Sequence, residues 1–220
     1  DFQFPEGHRE LMVSLRLLYP DFSNNLVGWV TKPTRALLRL KNLQVGDQWE
    51  STQLLSLTRR GVVTRDIESG VGKYPSSFEG YQIVEPGDLV FCLFDVEETP
   101  RTVGLVKQKG MITSAYTAYE VDRTLADPRF LEFLFISWDD QKRFRPFYTG
   151  LRNTIPKNTL SGTRFSLPSL SQQRLIASYL DIELARLDSL ILQKTLLIEK
   201  LKERYESFLI ERVTKGKPGT

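Results

Sequence analysis

The chain has 220 residues but only one cysteine and one histidine. A single thiol excludes an internal disulfide framework and suits a reducing, cytoplasmic setting. Cys92 lies in Val90-Phe91-Cys92-Leu93-Phe94, where it reads as a core residue and not a reactive one. With His8 alone there is no material for a histidine triad or a zinc site of ordinary ligands. Hydrophobic runs are short and interrupted, so no segment can span a bilayer as a helix, and no secretory signal is visible. A glycine-rich dinucleotide fingerprint is also missing. Gly70-Val71-Gly72-Lys73 is a poor phosphate loop, because Ile67 stands where the earlier glycine belongs and Tyr74 where Ser or Thr does. Asp95, Glu97 and Glu98 have no lysine beside them and read as an acidic turn, not a nuclease centre. Asp139-Asp140 reads as the solvated end of an apolar helix. No catalytic residue, resident cofactor or metal site is expected, and the chain reads as a binder.

What the chain does have is concentrated in its last fifty residues. From Leu167 a Pro-marked loop leads into a long helical pattern with apolar residues at Leu180, Leu184, Leu187, Ile191, Ile198, Leu201, Tyr205 and Phe208. The steps alternate four and three, with Lys194 the only interruption, as in a helix packed along another long helix. Lys194 can be tolerated in such a seam by snorkelling, or it can set register. About 40 helical residues make a rod of roughly 60 Å. Nothing else in the sequence has the length or period to match it, so the partner is another chain or a missing part of this one. The chain also opens at Asp1 and not at Met, as a fragment would.

Charge is segregated beneath a net +3. Residues 74–100 carry six acidic and no basic residues, whereas residues 141–167 carry six basic and no acidic ones. A second acid-free stretch, residues 99–119, holds Arg101, Lys107 and Lys109, and Arg59, Arg60 and Arg65 form a third basic cluster. Local positive surface on a near-neutral protein is what phosphate contact requires, since it releases counterions. If that surface meets a nucleic acid, the candidate contacts are Arg59, Arg60, Arg65, Lys73, Arg101, Lys107, Lys109, Arg143, Arg145 and Arg152. Each also admits the plainer reading of solvated surface charge.

The fold class is α+β: a globular domain followed by one long C-terminal coiled-coil helix. Residues 1–28 form an N-terminal segment, 29–168 the domain, 169–215 the helix and 216–220 a tail. Residues 36–43, 49–57, 80–84, 89–94, 102–107 and 111–121 read as strands, with a turn at Glu85-Pro86-Gly87-Asp88. Residues 128–138 read as a helix whose apolar face is Phe130, Leu131, Leu134 and Phe135. Ser169 and Gln172 have capping-box spacing at the head of the long helix.

Leu167-Pro168, Leu170, Gln173, Ile176, Leu180-Asp181 and the closing Val213-Thr214-Lys215-Gly216 resemble the conserved helical region of specificity subunits of type I restriction-modification systems. Pro86-Gly87-Asp88-Leu89-Val90 and Gly110-Met111-Ile112-Thr113-Ser114-Ala115-Tyr116 look like two short signatures of their target recognition domains, in the expected order. The resemblance covers roughly residues 30 to 216 and departs at Gln172, where Glu is usual, and at Ser169, where Pro is common. Tyr116, inside the second signature, reads as a packing residue.

The resemblance implies a non-catalytic subunit that reads a DNA half-site through the basic stretches. It implies methyltransferase subunits as partners, with S-adenosylmethionine bound there and not in this chain, and a restriction/translocase subunit joining through them. Full subunits of this kind have two recognition domains and two long helices. This chain has one of each, and looks like half a subunit that forms a homodimer through the helix or pairs with a missing second half. Two rivals stay open: a coiled-coil interaction adaptor without DNA binding, and an enzyme hidden in the α+β domain, which the motif survey opposes.

Overall fold

A computed structural model describes residues 29–65 and 77–215. The N-terminal segment 1–28 with His8, the Gly70-Val71-Gly72-Lys73 loop and the tail 216–220 lie outside the described residues. The chain divides into two compact units, with the boundary in the long helix between Ala177 and Ser178.

The first unit is closed by its own ends. Strand β1 (Val30–Pro33) pairs antiparallel with β10 (Arg164–Leu167), Val30 lying opposite Leu167. A single helical turn α1 (Thr34–Leu37) leads into β2 (Leu38–Lys41). Strand β2 pairs with β9 (Thr117–Val121), which pairs with β6 (Leu89–Phe91), and β6 pairs with β7 (Val103–Leu105) in a four-stranded antiparallel sheet. Two smaller pairs complete the strands. Strand β3 (Leu55–Thr58) pairs with β4 (Gly61–Thr64), and β5 (Gln82–Val84) with β8 (Gly110–Ile112). One core cluster joins Leu55, Leu57 and Val62 of the hairpin to Val84, Val90, Cys92 and Ile112. A ladder of edge-on rings joins the other side, Tyr119 to Phe91 at 5.6 Å, Phe91 to Phe135 at 4.9 Å and Phe135 to Phe165 at 5.1 Å. Such pairs add roughly 0.5–1.5 kcal/mol each beyond the area they bury.

Phe135 comes from α2 (Pro128–Asp140), which begins where the sequence places it. Proline at its first position needs no amide donor, and the Asp127 carboxylate accepts the N–H groups of Arg129 and Phe130 at 3.0 Å. The expectation for its end is corrected. Asp139 is buried and accepts the Thr102 N–H at 3.0 Å, so it is no solvated terminus. One face up, Glu132 accepts the Leu105 N–H at 2.9 Å and also meets Arg129. These two carboxylates satisfy the open edge of β7, which would otherwise present unpaired amides.

Three strand expectations are also corrected. The run 36–43 is split by α1 before β2 begins. The run 49–57 opens as a 3-10 turn, Gly46–Ser51, where the Thr52 hydroxyl donates to Gln48 O at 2.6 Å, and only then becomes β3. The run 111–121 is two strands, β8 and β9, parted by a turn in which Tyr116 N–H bonds to Thr113 O at 3.1 Å. Crowding explains a glycine here. A Cβ on Gly110 would lie 2.6 Å from Gln53 O and 2.7 Å from Leu55 Cγ. At Gly87 the φ of +98° sets the turn into β6, and Asp88 secures it by accepting Glu85 N–H and the Lys41 ammonium, each at 2.7 Å.

A six-residue helix α3 (Lys157–Gly162) precedes β10, and α4 (Leu170–Lys215) follows it. The expected capping box is present: Gln172 N–H donates to Ser169 Oγ at 3.4 Å and Ser169 N–H to Gln172 Oε1 at 3.2 Å. At 46 residues the helix is about 69 Å long. In the second unit, Leu180 is buried and Leu184 and Leu187 are half-buried. From there on the seam is exposed: Ile191, Ile198, Leu201, Tyr205 and Phe208 keep 41–62% of their surface.

Candidate nucleic-acid interface

The sheet delivers two aromatic side chains to one of its ends. Strand β6 leaves the sheet at Phe91 and runs on to Phe94; β9 enters it at Thr117, opposite Phe91, directly after Tyr116. The two rings lie nearly parallel, 6.4 Å apart, half-buried against the core. Gln82, itself buried, fixes the Tyr116 backbone by donating to its carbonyl at 2.9 Å. Burial pushes the Tyr116 phenol up, an effect that the Arg65 guanidinium partly offsets.

Around this pair the acidic turn and the basic stretch come together. The chain at Asp95 adopts φ +48°, and its N–H donates to Arg152 O at 2.7 Å; Ile155 N–H donates to Leu93 O at 2.8 Å. The Arg152 guanidinium forks onto the Asp95 carboxylate and lies 5.1 Å from the Phe94 ring centroid. Arg145 forks onto Glu97 at 2.7 and 3.4 Å. The side-chain hydrogen bonds from Arg152 and Arg145 hold Asp95 and Glu97 below the ordinary carboxylate range. The acidic turn is therefore an arginine holder, and both arginines remain about two-thirds exposed. Cys92, behind this turn, is buried and its thiol is pushed up by that burial, which fits the core role.

The other candidates fall into separate groups. Arg59 and Arg60 form the exposed tip of the β3–β4 hairpin, with Gly61 at φ +90° closing the turn, and have no ionic partner among the described residues. Lys107 and Lys109 are exposed on the β7–β8 connection, where Lys109 lies 4.0 Å from Glu85. Gln108 from the same connection bonds to Thr64, next to Arg65. Arg143 is half-buried with its guanidinium 5.9 Å from the Trp138 ring. Arg101 does not belong to a contact surface. It is 4% exposed, and its Nη1 lies 3.4 Å from the Asp140 carboxylate. Lys73 lies outside the described residues.

A further basic group was not singled out from sequence. Residues 30–46 hold Lys32, Arg35, Arg39 and Lys41 and no acid, the same signal that marked the other stretches. Arg35, Arg39 and Arg123 line a cleft of about 560 Å³ beside the end of β9 remote from Tyr116. Glu120 pairs with Arg39 there, and Arg123 donates to Pro86 O at 2.7 Å. Among the described residues no cluster of histidine, cysteine or carboxylates could hold a metal ion, and no helix is long and apolar enough to cross a membrane.

By sequence, no family model and no curated protein matches the chain. By structure the likeness is broad. A chain from a type I restriction-modification system, solved for its complex assembly and conformational transition, superposes with a TM-score of 0.66 at 15% identity, covering 94% of this chain and 51% of that one. The HsdS subunit from Thermoanaerobacter tengcongensis gives a TM-score of 0.56 at 15% identity, covering 96% and 51%. The chain thus spans about half the length of these neighbours, and its strand domain with a long C-terminal helix has the fold of type I restriction-modification S subunits.

Proposed function

We propose that this chain is a DNA-recognition half of a type I specificity subunit, with residues 29–168 as its recognition domain and 169–215 as its pairing and spacing helix. The observation that carries the pairing part of this reading is the exposed helical seam, and the likeness to S subunits in fold supports the recognition part. Ile191, Ile198, Leu201, Tyr205 and Phe208 repeat at heptad spacing and are about half exposed, in a chain half the length of its structural neighbours. A helix of this length keeps so much apolar surface for a second helix, from another copy or from a missing second half. Two identical copies would place two recognition domains about a two-fold axis.

The domain reads a short half-site. Arg59, Arg60, Lys107 and Arg145 are exposed for phosphate contact, and Arg152, oriented by Asp95, is suited to a guanine edge. The chain supplies no chemistry. Methyltransferase subunits bring S-adenosylmethionine and act on adenine, the restriction/translocase subunit joins through them, and the assembly works in the cytoplasm.

The test is to co-express the chain with its cognate methyltransferase subunit and to map modified adenines across the host genome. A new two-part motif with a fixed gap supports the reading, and a palindromic one supports symmetric pairing. No new methylation from a soluble, associated pair rules out pairing of two identical copies and leaves a half that needs its missing second half, or an adaptor that does not bind DNA.

A further inference from the structure

Leu151 is the most exposed large apolar residue described, at 105% of its reference surface. It sits at the tip of a tight loop, and the loop is stiff. Thr149 and Thr154 exchange backbone hydrogen bonds at 2.9 and 3.0 Å, and the Thr149 hydroxyl adds a third at 3.0 Å. Gly150 and Asn153 take the left-handed angles that the turn needs, φ +67° and +44°. The root of the loop is stitched to the neighbouring segment through Arg152 O and Ile155 N–H, and Arg152 is forked onto Asp95. A single exposed leucine on a mobile surface carries no meaning. A leucine held fully in water by a braced turn, with the exposed Arg152 beside it, is a different object.

We infer that Leu151 is a wedge that enters a base-pair step of duplex DNA. Proteins that part a base step with an apolar side chain combine that wedge with arginine or lysine side chains that reach the DNA beside it. Arg152 adjoins the leucine, and Arg145 is held on the same acidic turn, both with most of their side-chain surface in water. Pyrimidine–purine steps unstack most easily, so the half-site contains TA or CA/TG at the wedged position. This inference rests on the DNA-recognition reading and adds to it how one position of the site is read.

The test uses the full chain and a duplex that it selects from a random-sequence pool, with 2-aminopurine placed in turn at each adenine of either strand of the selected site. Fluorescence is expected to rise at one step with the wild-type chain. With Leu151→Ala that rise is expected to vanish while binding weakens by about tenfold, and Leu151→Phe is expected to restore it. Unchanged melting temperatures exclude a folding effect, since the side chain touches nothing. A selected duplex that shows no rise at any position, or a rise that survives Leu151→Ala, overturns the wedge and leaves DNA recognition standing. Loss of methyltransferase association with DNA binding unchanged also overturns it, making Leu151 a protein contact. Failure to select any duplex removes the DNA reading and the wedge together.

Discussion

Gln173, in the first turn of α4, accepts the backbone N–H of Asp127 at 2.9 Å, while Asp127 caps the start of α2. The same glutamine is 1% exposed and donates to Pro168 O at 3.0 Å and Leu125 O at 3.3 Å. One side chain thus satisfies three backbone groups on two segments, and fixes where the long helix starts relative to α2. Gln173→Ala leaves buried donors and acceptors without partners and is expected to lower stability by about 2–3 kcal/mol. Thermal or urea unfolding reads this directly. A loss below about 0.5 kcal/mol would mean that water replaces the amide at no cost.

A second prediction concerns the sheet edge. Asp139→Ala removes the acceptor for the Thr102 N–H, in a place where both residues are buried. The expected loss is about 1–3 kcal/mol, the cost of an orphaned buried donor. Amide hydrogen exchange should accelerate at Thr102 well before it does at Val90, which is held between β7 and β9. Equal acceleration at both would show that the whole sheet loosens and that Asp139 acts on packing and not on the edge.

Much of this arrangement was legible in the chain. The helix 128–138 could be read because its signal is local and periodic, and the long helix runs unbroken through Leu180 to Phe208 for the same reason. What could not be read depends on contacts across long separations. Asp139 looked like a solvated end because its partner, Thr102, lies 37 residues away. Arg101 looked like a surface cation for the same reason, being next to Asp140 only after folding. The turn inside 111–121 is hidden because Thr113 and Tyr116 are good strand formers that here take turn geometry. Segregated charge marked the acidic turn and the basic stretch but could not reveal that the acidic turn would hold two of the arginines.

That holding gives a pH prediction. Asp95 and Glu97 titrate below the ordinary values of 3.8 and 4.5, each chiefly because of its arginine's side-chain hydrogen bond. A lowered folded-state pKa contributes stability above the unfolded value, and the contribution is lost as pH falls through the folded one. The tie between Asp95 and Arg152 of the loop at 149–154 should therefore persist as pH falls through the ordinary carboxylate range and weaken only further into acid. Carboxyl carbon shifts followed by NMR report both midpoints. Arg152→Ala is expected to move the Asp95 midpoint back up and leave that of Glu97 in place. If both midpoints move together, the two pairs are one coupled unit.

The same pairs set the sign of mutations that affect DNA binding. Arg145 is matched by Glu97, so removing the arginine exposes a carboxylate, whereas removing Arg59 only deletes a cation. Arg145→Ala should therefore weaken binding to a selected duplex more than Arg59→Ala at the same salt. Each lost phosphate contact should lower the slope of log affinity against log salt by about 0.9. Glu97→Gln works in the opposite direction. It frees the guanidinium and is expected to tighten non-specific binding at low salt, with the gain shrinking as salt rises. Fluorescence anisotropy across a salt series separates these cases. If Glu97→Gln weakens binding at every salt concentration, the carboxylate is needed to aim Arg145, and the contact is a directed base or phosphate hydrogen bond instead of a diffuse charge.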